Sequence, residues 1–268
     1  MRALQSLVFA SAAALSFAGC VGTTGSDLVT FEAAAAGPAD AVKGQPYSFT
    51  SGRGFHVTLT KAKLHVGGVY LSRSRPTSGA QETDCILPGL YVGEVPFGLD
   101  VDVLSPEPQL FPGKGEGTAD PAAVGEVWLS HGDVNAPDDS EPVLEIAGTA
   151  EKAGASFPFE ASITIGSNRA VPVTDPSMPS QHPICKERIV SPIAVSLTPE
   201  NGGSLLLRID PRGWFSNVDF TQLDETSTSP PLYSFADEND GQPNVNLYRG
   251  LQARFGVYDL EWKDTAEP

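Results

Sequence analysis

Positive charge and long apolar runs are scarce in this sequence of 268 residues. Only 17 Lys and Arg stand against 33 Asp and Glu, so the formal net charge is −16. Because nucleic acids are bound largely through cationic side chains, this balance argues against a nucleic-acid partner. After residue 20, no stretch reaches the roughly 18 apolar residues that a membrane-spanning helix needs. The sequence therefore predicts neither a nucleic-acid-binding protein nor a membrane-spanning one.

Local catalytic signatures are also missing. The sequence has no Gly-x-Ser-x-Gly elbow, no Ser-x-x-Lys and no His-Glu-x-x-His. Carboxylates are numerous, but a glycosidase pair is defined by a distance in space and leaves no spacing to find. We therefore expect no catalytic residues and rank a non-enzymatic role above hydrolysis.

Glycine and proline are abundant, with 27 and 23 residues, which suits many short strands joined by turns. Apolar and polar residues alternate in most segments, as in Leu99, Val101 and Val103 against Asp100 and Asp102. A long strand from Phe55 is expected to bend at Gly67-Gly68. Further strands are predicted over Leu90–Val95, Gly98–Leu104, Val124–Ser130, Val143–Ala150, Ser156–Ile165, Ile189–Leu197, Ser204–Ile209 and Arg254–Trp262. The fold class is all-β, an antiparallel sandwich-like domain with one or two short helical turns.

The first 20 residues carry an export signal. Arg2 precedes an apolar run from Leu7 to Ala18, and small residues then lead to Cys20. The ending Phe17-Ala18-Gly19-Cys20 resembles the lipobox of bacterial lipoproteins, which implies lipid attachment at Cys20. An ordinary cleavage site with an incidental cysteine is the alternative. By the same resemblance, Val21 after the cysteine favours the outer membrane.

Three segments follow from these patterns. Residues 1–19 are expected to be a signal peptide, residues 20–46 a lipid-anchored tether, and residues 47–268 the folded domain. The tether is rich in Gly, Ala and Thr and has little periodicity. Within the domain, Asp210 and Pro211 predict a short helical turn, and a helix is expected to start near Asn244.

Two cysteines remain besides Cys20. In an oxidising envelope compartment, Cys85 and Cys185 are expected to form a disulfide. Alternatively, His182 and a reduced Cys185 have the His-x-x-Cys spacing of a zinc or copper site.

The metal-ligand candidates are few. The four histidines lie on separate segments, and His65, His131 and His182 are the residues proposed for a copper or zinc site. His56 and His65 are an odd number of residues apart, which puts them on opposite faces of a regular strand. The acidic loop from Asp237, with Gly241, is the alternative site for calcium, although it does not fit the EF-hand spacing.

A family resemblance covers about the last quarter of the chain. The segment from Ser204 through Trp214 to Phe220, the Asn246-Leu-Tyr-Arg-Gly-Leu run and the closing strand to Trp262 resemble envelope lipoproteins of the methanobactin-partner-like type. The resemblance implies a β-rich domain associated with copper, but it carries no ligand residue over.

We therefore expect a lipid-anchored protein of the bacterial cell envelope with a non-enzymatic binding or structural role. Its partner would be an envelope protein or a glycan. Copper or other metal binding is the alternative, and an envelope hydrolase is third.

Overall fold

The computed structural model describes residues 26–74, 90–133, 136–169 and 185–264. The protein is mostly β, with few short helices, so the predicted all-β class is confirmed. The strands are β1 (Leu28–Ala36), β2 (Tyr47–Thr50), β3 (His56–Val66), β4 (Gly68–Ser72), β5 (Tyr91–Val95), β6 (Leu99–Asp102), β7 (Gln109–Leu110), β8 (Gly115–Thr118), β9 (Ala122–Trp128), β10 (His131–Asp133), β11 (Ala136–Asp138), β12 (Pro142–Lys152), β13 (Ala155–Thr164), β14 (Ile189–Leu197), β15 (Ser204–Ile209), β16 (Asp224–Thr228), β17 (Pro231–Ser234) and β18 (Tyr258–Lys263). The helices are α1 (Ile165–Asn168), α2 (Cys185–Arg188) and α3 (Gln242–Leu251).

Two mixed sheets build the core. The larger runs in the order β14-β9-β4-β5-β8-β1-β15-β18, with β7 paired to β1, and its two end strands come close to closing a barrel. The smaller runs β16-β17-β13-β12-β3-β2, with β6 paired to β3. Most pairings are antiparallel as expected, but β1–β15 and β13–β17 are parallel. Most buried apolar side chains of both sheets form one continuous core, and Ala34, Ala36 and Leu206 form a small separate cluster.

The chain passes from one sheet to the other at the predicted glycine corner. β3 belongs to the smaller sheet, β4 to the larger, and Gly67 lies between them. A Cβ atom on Gly67 would lie 2.1 Å from the carbonyl oxygen of Ser130 and 2.2 Å from Cδ1 of Trp128. Only a glycine allows the corner to approach the end of β9 so closely.

The predicted tether differs from the structure. Residues 28–36 form β1, whose neighbours are β8 and β7 on one side and β15 on the other. Phe31 and Ala35 on this strand are almost fully buried. The run of alanines, which has no amphipathic period, packs tightly between neighbouring strands. Residues Leu28–Ala36 therefore belong to the folded body and not to a tether.

Both helical expectations find a counterpart. Pro211–Phe215 is a short 3₁₀ turn, with the Asp210 side chain accepting a hydrogen bond from the Arg212 backbone amide. α3 begins at Gln242 rather than near Asn244. Trp214 and Phe215 are completely buried, and Phe215 meets several phenylalanine rings of the core.

Several predictions fall outside the described residues. These are the signal peptide, the lipid site Cys20, the disulfide partner Cys85 and the ligand candidate His182. Cys185 starts α2, but its side chain is not described. Where the chain is described, none of the helices combines the length and the apolarity needed to cross a membrane.

Candidate functional site

A bulge in β3 decides which of its side chains face outward. Lys61 pairs with Ala147 and Leu59 with the next residue, Gly148, so Thr60 is an extra residue in β3. The burial pattern changes phase there, and His56 and His65 both lie on the outer face. The opposite-face expectation for a regular strand is therefore wrong, although the two histidines remain at opposite ends of β3.

Asp100 is placed beside His65 by strand pairing. The two residues are register partners between β3 and β6. His65 Nδ1 lies 2.8 Å from Asp100 Oδ1, and Asp100 Oδ2 lies 3.0 Å from Lys63 Nζ. Lys63 also pairs with Glu145 at 3.0 Å. The carboxylate is thus held from two directions.

His131 reaches the same place from another part of the chain. It begins β10, which forms a two-stranded hairpin with β11. Its ring stacks on that of His65, with centroids 3.5 Å apart and an interplanar angle of 17°. His131 Nε2 lies 2.9 Å from the carbonyl oxygen of Pro142, at the start of β12. Two of the three predicted metal ligands are therefore in contact.

The hydrogen-bond partners fix which ring nitrogens carry protons. The Pro142 carbonyl can only accept, so His131 Nε2 carries a proton and donates. Asp100 is ionised and also only accepts, so His65 Nδ1 donates to it. In the neutral rings, His65 Nε2 and His131 Nδ1 then each keep a lone pair that accepts no hydrogen bond from a described residue. These are the two nitrogens available to a metal ion.

The local electrostatics favour neutral imidazole at His65. Its side chain is only 12% exposed, and burial lowers its pKa, although the hydrogen bond to Asp100 opposes this. At Asp100, burial opposes ionisation, but the hydrogen bonds from His65 and Lys63 together lower the pKa. Bonds to Glu145 and Asp100 raise the pKa of Lys63. Near neutral pH the cluster therefore holds an ionised carboxylate beside a neutral imidazole ring.

His65, Asp100 and His131 form a group that could hold a metal ion. One ligand atom from each lies within 4.8 Å of the others. Imidazole nitrogens and a carboxylate oxygen are borderline to hard donors, which suit copper(II) and zinc(II). The nitrogen lone pairs lie in the ring planes, so the lone pairs of two stacked rings are side by side. At least one ring must therefore turn before both nitrogens can bind the same ion.

Space is available beside this group. A cleft of about 540 Å³ opens next to Asp100, and Lys61, Lys63 and Gln109 also line it, whereas His65 and His131 are not among its lining residues. On the other side, a Cβ atom on Gly98 would lie 3.1 Å from His65 Nε2. Any side chain at position 98 would therefore crowd His65 Nε2.

Asp100 was missed as a candidate by the sequence analysis. Its alternation with buried residues places it on an exposed face of β6, but that pattern gives no partner. The pairing of β6 with β3 joins residues 35 positions apart. A strand register over this distance leaves no local signal.

In the acidic loop that is the alternative site for calcium, Asp237 accepts hydrogen bonds from protein groups. Asp237 Oδ1 accepts hydrogen bonds from the Thr164 amide at 2.7 Å and from Asn168 Nδ2 at 2.6 Å. Asp237 Oδ2 accepts from the Thr164 hydroxyl at 2.8 Å. The carboxylate therefore anchors the start of α1 with both oxygens.

No family model matches the chain, and neither a curated protein sequence nor a solved structure is significantly similar to it.

Proposed function

We propose that this protein binds copper in the bacterial cell envelope, with His65 and His131 as ligands. The observation that carries the proposal is the contact between two imidazoles whose other nitrogens are already hydrogen-bonded to Asp100 and Pro142. Each ring thereby keeps one nitrogen for a metal ion, and one ring turns so that both nitrogens reach the same ion. A carboxylate–histidine pair of this kind is the usual support of a metal-bound imidazole.

Asp100 serves this site as a positioning residue. Both of its oxygens are engaged, one by His65 and one by Lys63. It holds the His65 ring in one orientation and makes Nε2 the more basic nitrogen. Its negative charge also offsets part of the charge of a bound cation.

Copper is the divalent first-row metal expected to bind most tightly. A site of nitrogen and oxygen donors binds divalent copper more tightly than nickel, cobalt or zinc. The resemblance of the C-terminal quarter to copper-associated envelope lipoproteins supports the same choice. In this proposal the protein is not an enzyme. It binds the copper ion in order to store it or to transfer it.

The envelope setting rests on the N-terminal sequence. The lipobox-like ending at Cys20 supports export and lipid attachment, with the outer membrane favoured by Val21. Two or more acyl chains anchor a protein stably, whereas one is marginal. We propose that the β domain is held at the membrane surface in this way, where it meets metal ions outside the cytosol.

Calorimetric titration of purified, metal-stripped protein with copper(II) tests the metal site. We expect one strong equivalent for the wild type and at least a tenfold weaker association for His65→Gln and for His131→Gln. His56→Gln is the matched control, because His56 is exposed on the same face of β3 but at its other end. Equal affinity in all four proteins would overturn the proposal.

His182 is tested in the same series. It was predicted as a third ligand from sequence and lies outside the described residues. A weaker copper affinity in His182→Gln would add it to the site, and an unchanged affinity would remove it.

A further inference from the structure

The larger sheet leaves an open seam. Its end strands β14 and β18 are neighbours, yet within the described residues no backbone ladder joins them. A cavity of about 550 Å³ lies at this seam, with residues of both strands in its wall. Volumes of this size are typical of small-molecule sites.

The floor of the seam cavity is apolar. Ala39 and, on β14, Ala194 are exposed in its wall; Ile193, Ile209 and Val257 also line it and are at least 97% buried within the core. At the rim, Phe255 is 81% exposed. An aromatic ring this exposed beside an apolar hollow offers a surface that a bound ligand would cover.

The charged residues of the seam cavity are not equivalent. Arg212 Nη2 pairs with Asp210 at 2.6 Å, and Arg212 Nη1 with Asp40 at 3.2 Å. Arg208 in the wall is likewise neutralised, by Glu261 at 2.8 Å. These two guanidinium groups are therefore already occupied.

Arg254 differs from them. It is exposed in the cavity wall and makes no ion pair or side-chain hydrogen bond with any residue that the structure describes. A guanidinium group matches the planar carboxylate better than any other anion binder among side chains. The cavity thus combines an apolar floor with one unpaired cation.

We propose that the seam cavity binds an aliphatic monocarboxylate, with its carboxylate on Arg254 and its alkyl chain against Phe255 and the apolar floor. A single negative charge is favoured over a phosphate dianion because Asp40, Asp210 and Asp259 also line the wall and would repel a second charge. None of these residues belongs to the group of His65, Asp100 and His131, so the inference stands apart from the copper proposal.

Calorimetric titration with sodium octanoate, in buffer containing a chelator, tests this inference. We expect saturable binding that tightens by up to about fourfold per added methylene from hexanoate to decanoate, because each buried methylene contributes about 0.8 kcal/mol. Octylamine, with the same chain and the opposite charge, is expected to bind at least tenfold more weakly. The chelator removes metal ions, so that octanoate cannot bind to the protein through a bound metal.

Two exposed arginines provide matched variants. Arg254→Gln is expected to weaken octanoate binding about tenfold, the size of a lost charged hydrogen bond. Arg249→Gln makes the same charge change on α3, outside the cavity wall, and is expected to change nothing. Phe255→Ser is expected to reduce the dependence on chain length.

Four results would overturn the inference. They are no saturable binding of octanoate at millimolar concentration, equal binding of octanoate and octylamine, equal loss in Arg254→Gln and Arg249→Gln, and an affinity independent of chain length. Because Arg254 and Phe255 are exposed, their variants are expected to fold, and a normal thermal unfolding curve checks this.

Discussion

The hydrogen bond between His65 and Asp100 decides which imidazole nitrogen faces a metal ion. With Nδ1 donating to the carboxylate, only Nε2 remains free. The same logic applies to His131, whose Nε2 is occupied by the Pro142 carbonyl. The two rings therefore use different nitrogens, which follows from the partners that each strand brings.

Asp100→Asn tests the positioning role. The amide oxygen can still accept from His65, but the negative charge that makes the ring more basic is lost. We expect copper affinity to fall by about 10- to 100-fold, as for other partners of metal-bound histidines. Calorimetry measures it, with Asp102→Asn as control, since Asp102 lies two residues further along β6. Equal affinities in the two variants would contradict the role.

Single residues of the site were partly predictable. His65 and His131 could be named from sequence because histidine is rare here and is a common copper and zinc ligand. The stacking of the two rings could not be predicted, because it depends on a hairpin that folds over the end of the smaller sheet. Asp100 was hidden among 33 acidic residues.

At the scale of elements, the Gly67 corner connects the two sheets and positions the end of β9. The segment that follows this end carries His131, so the corner also supports the site. The two contacts that a Cβ atom would make are with backbone and a buried ring, neither of which can move away easily.

Gly67→Ala is expected to lower the free energy of unfolding by about 2–3 kcal/mol, the cost of overpacking a core. Urea denaturation measures it. Gly68→Ala is the control, since its Cβ would lie 3.0 Å from the Val95 carbonyl oxygen and 3.6 Å from the Tyr70 side chain, and we expect a cost below about 1 kcal/mol. Equal costs at both positions would show that the corner is not as tight as described.

A like-charge pair spans two other strands. Glu94 on β5 is the register partner of Glu116 on β8. Burial and the charge of Glu116 raise the pKa of Glu94. The folded state therefore binds a proton at Glu94 more readily than the unfolded state, and ionised Glu94 costs stability at neutral pH.

Glu94→Gln is expected to stabilise the protein at pH 7 by a few tenths to about 1 kcal/mol. The gain should shrink as the pH falls through the pKa of Glu94, because the wild-type side chain is then neutral too. Urea denaturation at several pH values measures this. In a double-mutant cycle with Glu116→Gln, additive gains would contradict the repulsion.

Elements were predicted better than their connections. Ser204–Ile209 and Ile189–Leu197 match the structure, because apolar residues bounded by turn residues mark both strands. The bulge at Thr60 and the strand made from the alanine run were not predictable. Both depend on partners that are distant in sequence.

The whole molecule combines an acidic chain with a predicted lipid anchor and disulfide. The all-β class followed from alternation and turn residues, whereas the mixed pairing and the nearly closed larger sheet depend on long-range register. The prediction of the compartment rests on the first 20 residues, because an export signal is recognised from the sequence alone.

Intact mass spectrometry of protein isolated from the envelope tests the anchor and the crosslink together. We expect a mature chain starting at acylated Cys20 and no free thiol on Cys85 or Cys185. The predicted disulfide would enclose a long loop, so its reduction is expected to cost up to about 4.7 kcal/mol by the chain-entropy model. An unmodified start elsewhere, or two reactive thiols, would contradict these predictions.

Electron paramagnetic resonance of the copper(II)-loaded protein tests the central claim most directly, because it counts the imidazole nitrogens bound to the metal. The account predicts that the wild-type spectrum shows histidine nitrogens bound to copper. His65→Gln and His131→Gln each remove one of these nitrogens, while His56→Gln leaves the spectrum unchanged. A spectrum that is identical in His65→Gln, His131→Gln and the wild type would contradict it.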